Sequence, residues 1–144
     1  MSDLYSGNAI QERYLETSVE TAHPVQLIVM LYDGAVRFLQ QGIEAIEARR
    51  IDDQNRCLVK TQNILAELMS SLNFEAGGEI AANLLKLYTY MYESLVQANL
   101  EDDADSAKKV LTMLDDLRDG WRQIAEQYGA EAARPQVREV SLHG

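Results

Sequence analysis

The sequence has little of the chemistry that most enzymes and metalloproteins use. It contains one cysteine, Cys57, and two histidines, His23 and His143. A structural zinc site needs about four Cys or His ligands, and a single cysteine excludes an internal disulfide bond. The sequence has no Glu-x-x-His pair and no glycine-rich loop followed by a lysine. We therefore expect no catalytic residues, no metal site and no bound cofactor.

Positive charge and long apolar runs are scarce as well. Lys and Arg number 13 against 23 acidic residues, and the formal net charge is −10. This balance disfavours nucleic acid and anionic membrane surfaces as partners, because both are bound through clustered cations. No stretch approaches the roughly 18 apolar residues of a membrane span, and no basic-then-apolar leader opens the chain. We expect a cytoplasmic protein that does not insert into a membrane.

Only two prolines are present, Pro24 and Pro135, and between them apolar residues recur with helical spacing in four blocks. Gly77-Gly78 is expected to break the helical pattern, and Gly129 is expected to follow the last helix as its C-terminal cap. The blocks predict helices near residues 24–50, 53–73, 79–99 and 104–128.

Short connections make consecutive helices antiparallel. The predicted fold class is therefore all-α, an antiparallel up-down four-helix bundle over residues 21–128. A short N-terminal segment or helix, residues 1–20, precedes the bundle, and a loose tail, residues 129–144, follows it. Near the centres of the apolar arcs lie four residues that we predict to be interior: Leu31, Leu87, Leu114 and Trp121.

The apolar stripes of the second and third predicted helices are wider than a single interior requires. The additional apolar residues either widen the core face of a squat bundle or line a groove that a partner segment covers. Tyrosine and methionine favour the groove, since both side chains suit a surface that is sometimes wet. The candidate groove residues are Leu58, Leu65, Met69, Leu72, Leu85, Tyr92 and Val96.

Three ordered motifs resemble one known family, the flagellar export chaperones of the FliS type. Residues 14–35 read Tyr-Leu-Glu-Thr-Ser-Val-Glu-Thr-Ala-His-Pro-Val-Gln-Leu-Ile-Val-Met-Leu-Tyr-Asp-Gly-Ala. The second motif begins at Gly77-Gly78 and continues through Leu87-Tyr88-Thr89-Tyr90-Met91, and the third is Leu117-Arg118-Asp119-Gly120-Trp121. Family members often carry Ser or Thr where this chain has His23, and Asp where it has Thr89. The similarity covers about residues 10–125.

The resemblance implies a binding protein and not an enzyme. Proteins of this family bind the C-terminal region of flagellin in the cytosol, hold it in apolar grooves and so prevent premature polymerisation. The complex is then recognised by the cytoplasmic domain of the flagellar export gate. We expect the same partners here. The alternative is a structural bundle without a secretion substrate, whose extra apolar face pairs with itself in a homodimer.

Ile10 and Tyr14 stand apart from the four predicted helices. They are four residues apart, so one helical turn would place both on the same side. In the family the N-terminal segment is implicated in covering the groove and in contacting the export gate. We therefore expect Ile10 and Tyr14 to form a displaceable lid that also contacts the export gate, although a frayed terminus is the simpler interpretation.

Overall fold

A computed structural model of the chain describes residues 24–133, and helices account for most of this range. Each helix contacts the next along the chain, and the first also contacts the fourth, which closes a ring of four. The prediction of an all-α, up-down four-helix bundle is confirmed. The helices are α1 (Pro24–Glu47), α2 (Ile51–Ser70), α3 (Phe74–Glu101) and α4 (Ala104–Ala133).

The three connections are short because local hydrogen bonds end each helix within a few residues. After α1, Arg49 adopts a left-handed conformation with φ of 59°, and the backbone N–H of Arg50 donates to the carbonyl of Ala45 at 2.8 Å. After α3, Asp102 is left-handed with φ of 55° and its N–H donates to Ala98. Such left-handed residues cap the free carbonyls of a helix end. The chain therefore reverses tightly, which makes neighbouring helices antiparallel.

Two helix boundaries differ from the prediction by five residues, and the others agree with it to within three. Helix α3 begins at Phe74, and not near 79, because the Asn73 side chain accepts a hydrogen bond from the N–H of Ala76 at 3.0 Å and caps an extra turn. The predicted break is present as a kink at Gly78, where φ is 49° and ψ is −119°. Gly129 is not a C-terminal cap, since α4 continues through it to Ala133. The residues that follow Gly129, Ala-Glu-Ala-Ala, all favour helix.

A pair of tyrosines lies at the centre of the core. The hydroxyls of Tyr32 on α1 and Tyr88 on α3 are 2.6 Å apart, and both side chains are fully buried. Leu114 is also fully buried, as predicted, whereas Leu31 and Trp121 are partly buried and pack against the core. The prediction for Leu87 is wrong: this residue is 37% exposed. Its neighbour Tyr88 occupies the interior position, which turns Leu87 toward the edge of the helix.

Helices α1 and α2 approach each other closely where α1 carries glycine. A Cβ atom on Gly42 would lie 2.9 Å from Cδ2 of Leu58, and one on Gly34 would lie 3.3 Å from Cδ1 of Ile64. Both distances are shorter than the roughly 3.5–4.0 Å at which carbon atoms attract each other best. The small residues of α1 therefore let the side chains of α2 reach into the bundle.

Candidate functional site

Hydrogen bonds made by two amide side chains of α2, Gln54 and Asn55, join this helix to the C-terminal end of α3. The Gln54 amide nitrogen donates to the carbonyl and side-chain oxygens of Asn99 at 3.2 and 3.1 Å, and to Asp102 at 2.8 Å. Asn99 in turn donates to the Asn55 side chain at 3.0 Å. These contacts fix which residue of α2 lies beside which residue of α3.

The pairing of Asn55 with Asn99 predicts which residues of α2 and α3 lie opposite each other along the rest of the two helices. In an antiparallel pair, a step of seven residues, about two turns, toward the C-terminus of α2 matches a step of seven toward the N-terminus of α3. Starting from Asn55 beside Asn99, Gln62 is expected opposite Tyr92, and Met69 opposite Leu85. The three pairs share one side of the α2–α3 contact, on the outside of the bundle.

Uncharged residues line the α2–α3 seam along its whole length, while charged residues of the two helices, such as Asp52 and Glu93, lie at the borders of this band. Residues three or four apart share one side of a helix, and we call the set that flanks the α2–α3 seam the α2–α3 face. Most of its members are exposed or half-buried. At about 1.5 Å per residue, the face is about 30 Å long. It comprises Ile51, Asn55, Val59, Gln62, Ala66 and Met69 of α2 and Ala82, Leu85, Thr89, Tyr92, Val96, Asn99 and Leu100 of α3.

The opposite seam, between α1 and α4, carries ion pairs. Asp33 of α1 accepts hydrogen bonds from Arg122 at 2.9 Å and from Arg118 at 3.3 Å, and Glu47 pairs with Lys108 at 3.1 Å. Exposed ion pairs add little stability, but they mark a surface that water solvates. The bundle therefore has one hydrated seam with ion pairs and, opposite it, one long seam lined by uncharged residues.

Four of the predicted groove residues lie on the α2–α3 face. Met69, Leu85 and Tyr92 are half-buried, and Val96 is 37% exposed. A fifth, Leu72, follows the end of α2, is half-buried and packs against the core. The structure therefore brings the predicted α3 residues and Met69 together along one surface.

Leu58 and Leu65 are not part of any exposed surface, and their assignment to the groove is wrong. Both side chains are fully buried in the core. Leu58 packs against Gly42 of α1, where the missing side chain leaves room for it. The apolar stripe of α2 therefore belongs mostly to the interior, and its contribution to the outer face comes from other residues.

Sequence reasoning missed several members of the α2–α3 face. Leu100 is 75% exposed and Ile51 is 58% exposed, although both are large apolar side chains. Val59 and Gln62 were also not singled out. The pattern of charge would have identified them, because the positions in line with Asn55 on α2 and with Asn99 on α3 are uncharged along both helices. Ile10 and Tyr14 lie outside the described residues.

The pKa shifts in the described part of the chain follow from burial and from local hydrogen bonds. Burial raises the pKa of the Tyr32 hydroxyl, that of Tyr88 and that of the Cys57 thiol. Hydrogen bonds from Ser106 lower the pKa of Asp103 at the start of α4. Among residues 24–133 there is no group of His, Cys, Asp and Glu that could hold a metal ion. Within the same range, no helix has the length and apolar character needed to span a membrane.

Fold and surface together define a class: antiparallel four-helix bundles that expose one long, uncharged helix-pair surface. The model of the family described as "Flagellar protein FliS" matches residues 6–128. The flagellar secretion chaperone FliS of Bacillus subtilis (strain 168) is 39% identical over 113 residues, which are 78% of this chain and 84% of that protein. Its counterpart in Salmonella typhimurium is 37% identical over 121 residues, 83% of this chain and 90% of that protein. This chain belongs to the FliS family.

A solved structure described as a flagellar chaperone from bacteria has the same fold. It aligns with a TM-score of 0.68 and covers 84% of this chain and 98% of that chain, at 20% sequence identity. At this identity, the likeness supports the four-helix architecture alone. The family assignment rests on the sequence comparisons.

Proposed function

We propose that this protein is a cytoplasmic flagellar secretion chaperone that binds the C-terminal region of flagellin. In this proposal the chaperone prevents premature polymerisation of flagellin and delivers it to the cytoplasmic domain of the export gate. The observation that carries the proposal is the α2–α3 face, an uncharged surface about 30 Å long that runs beside two helices. Membership of a family whose curated members are flagellar secretion chaperones supports the class of partner.

A surface of this shape suits a helical segment. An amphipathic helix binds by laying its apolar side into a groove, with anchors at i, i+3, i+4 and i+7. A ligand about 30 Å long corresponds to about 20 helical residues. The half-buried Tyr92 and Leu85 provide large apolar contacts near the seam, while the exposed Val96 and Leu100 extend the surface to one end.

The second candidate function is self-association. An uncharged surface of this length would also be covered if two copies of the chain paired through it, without any secretion substrate. The two functions differ in stoichiometry. Size-exclusion chromatography with light scattering, with and without monomeric flagellin, distinguishes a chaperone–flagellin complex from a homodimer that flagellin does not alter.

The binding site is tested with Tyr92→Ala and Leu85→Ala, measured by calorimetry against purified flagellin. Both variants should clearly weaken flagellin binding and lower the thermal midpoint of the free protein only slightly, because each side chain is half-buried and contributes only part of its surface to the core. Tyr90→Ala is the matched control, since Tyr90 is an exposed tyrosine of α3 outside the α2–α3 face. Unchanged affinity in both Tyr92→Ala and Leu85→Ala would remove this face from the site.

Delivery to the export gate is the part of the proposal that involves Ile10 and Tyr14. Their assignment as a displaceable lid and gate contact stays a prediction, because these residues lie outside the described range. It is tested by the truncation considered in the Discussion.

A further inference from the structure

One polar side chain stands out in the middle of the α2–α3 face. Gln62 is only 8% exposed, which makes it the single buried member of a surface whose other members are exposed or half-buried. Within residues 24–133 its amide has no hydrogen-bond partner, unlike the Gln54 amide two turns earlier on α2. A partner that covered this amide without a hydrogen bond would bury it unpaired, which is unfavourable.

The Gln62 amide is accessible from the outer surface of the bundle. In the described part of the chain, two side-chain polar atoms are both inaccessible to water and unpaired: Oε1 of Gln54 and Nε of Arg118. The amide atoms of Gln62 do not belong to this group, so they keep some contact with water. Gln62 follows Asn55 by seven residues, about two turns, and therefore lies on the side where Asn55 meets Asn99. Its polar atoms keep their remaining access to water through the α2–α3 face.

The residue expected across the seam does not satisfy this amide. The register set by Asn55 and Asn99 places Tyr92 opposite Gln62, yet no hydrogen bond joins the two side chains. The neighbouring positions Ala66 and Val59 offer no side-chain donor or acceptor. The centre of the face therefore holds one amide, with a donor and an acceptor both free, among apolar neighbours.

We propose that Gln62 is the specificity-determining residue of this face. It hydrogen-bonds an amide or hydroxyl side chain, that of Asn, Gln, Ser or Thr, on the helical segment of flagellin that occupies the face. This inference rests on the proposed function and deepens it. Apolar contacts alone let a bound helix slide by one turn, whereas a single polar pair within an apolar interface fixes its register. A helix that presents only apolar side chains to Gln62 would leave the amide unpaired and would be disfavoured.

The test replaces the amide with apolar groups of similar size, in Gln62→Met and Gln62→Leu. Because the unpaired amide contributes nothing to the free bundle, the thermal midpoint of the free protein should stay the same or rise. Affinity for purified monomeric flagellin, measured by calorimetry, should fall about three- to tenfold, since one hydrogen bond is lost and its partner is left unsatisfied. Gln40→Met is the matched control, because Gln40 is an exposed glutamine of α1 outside the face.

A second measurement identifies the partner group. Asn, Gln, Ser and Thr residues of the flagellin C-terminal region are replaced one at a time by Ala, and each variant is titrated against wild type and Gln62→Met. One replacement should weaken binding to the wild type but not to Gln62→Met, as expected for a coupled pair. The absence of any such coupling overturns the inference.

The remaining outcomes are also decisive. Unchanged affinity in both Gln62 variants overturns the inference, and so does a parallel loss of affinity and thermal stability, which would make Gln62 a structural residue. If Tyr92→Ala and Leu85→Ala still weaken binding in that case, the proposed function survives without Gln62. If wild-type protein does not bind flagellin at all, the proposed function fails and the inference fails with it.

Discussion

The buried hydrogen bond between Tyr32 and Tyr88 predicts that Tyr88→Phe changes the stability of the fold in opposite directions in two proteins. It should lower the stability of the wild type and raise that of the Tyr32→Phe variant. The two hydroxyls are each other's hydrogen-bond partner. Tyr88→Phe therefore leaves the Tyr32 hydroxyl without its partner in the core, and Tyr32→Phe does the same to the Tyr88 hydroxyl. Each buried polar group left unpaired costs about 1–3 kcal/mol.

These costs set the expected order of stabilities. Each single variant, Tyr88→Phe or Tyr32→Phe, should destabilise the fold by about 1–3 kcal/mol, since one buried hydroxyl loses its partner. In the double variant the orphaned Tyr88 hydroxyl is gone. Adding Tyr88→Phe to Tyr32→Phe should therefore increase stability, although Tyr88→Phe alone decreases it.

Urea denaturation followed by far-ultraviolet circular dichroism measures this cycle, with the slope m checked for constancy across the four proteins. A shift of 1 kcal/mol corresponds to about 2–4 °C in the thermal midpoint for a domain of this size. Additive effects, with the double variant the least stable of the four, would refute the hydrogen-bonded pair.

The same pair predicts loss of stability in alkali. Burial raises the pKa of both hydroxyls in the folded state above the value of about 10 expected in the unfolded chain. The neutral phenols are therefore favoured by folding, so their contribution is complete below about pH 10 and is lost as the pH rises above it. Absorbance titration should show both tyrosines ionising only together with unfolding. Early ionisation of all the tyrosines in a folded protein would contradict this.

Three further predictions address packing and the N-terminus. Gly42→Ala should destabilise by up to about 2 kcal/mol, because crowding against Leu58 exceeds the gain in helix propensity. Gly120→Ala, which meets open space, should stabilise by about 0.5–1 kcal/mol, and equal shifts in urea midpoint would contradict the close approach. Leu114→Ala should cost about 2–5 kcal/mol, so an unchanged midpoint would place Leu114 outside the core. Deleting residues 1–15 should preserve folding, leave flagellin affinity equal or higher and lower gate binding; a loss of flagellin affinity would refute the lid.

The helix pattern was readable from the sequence because four blocks keep a regular spacing between strong interruptions. Boundaries were less accessible where a single side chain adds a turn, as Asn73 does before the kink at Gly78. The extension of α4 beyond Gly129 has a different origin, since a glycine inside a run of helix formers is tolerated.

Inner and outer apolar residues could not be separated from periodicity alone. Leu58 is interior because Gly42, on a different helix, leaves space for it. Leu87 is at the edge because Tyr88 forms the central hydrogen bond with Tyr32. Both outcomes depend on contacts between helices that the spacing within one helix does not contain. The same is true of Gln62, a polar residue whose burial and lack of a partner are visible only when α3 lies beside it.

The unequal distribution of charge over the bundle bears on the candidate self-association through the α2–α3 face. Two copies that pair through this face must overcome the repulsion between net charges of −10 on each. Salt screens the repulsion between exposed charges, which extends about 10 Å at 0.1 M salt and about 3 Å at 1 M. The attraction between apolar surfaces is not screened in this way. If the chain self-associates through this face, we therefore expect pairing to be weaker in dilute buffer than in concentrated salt, and to be blocked by a ligand that occupies the face.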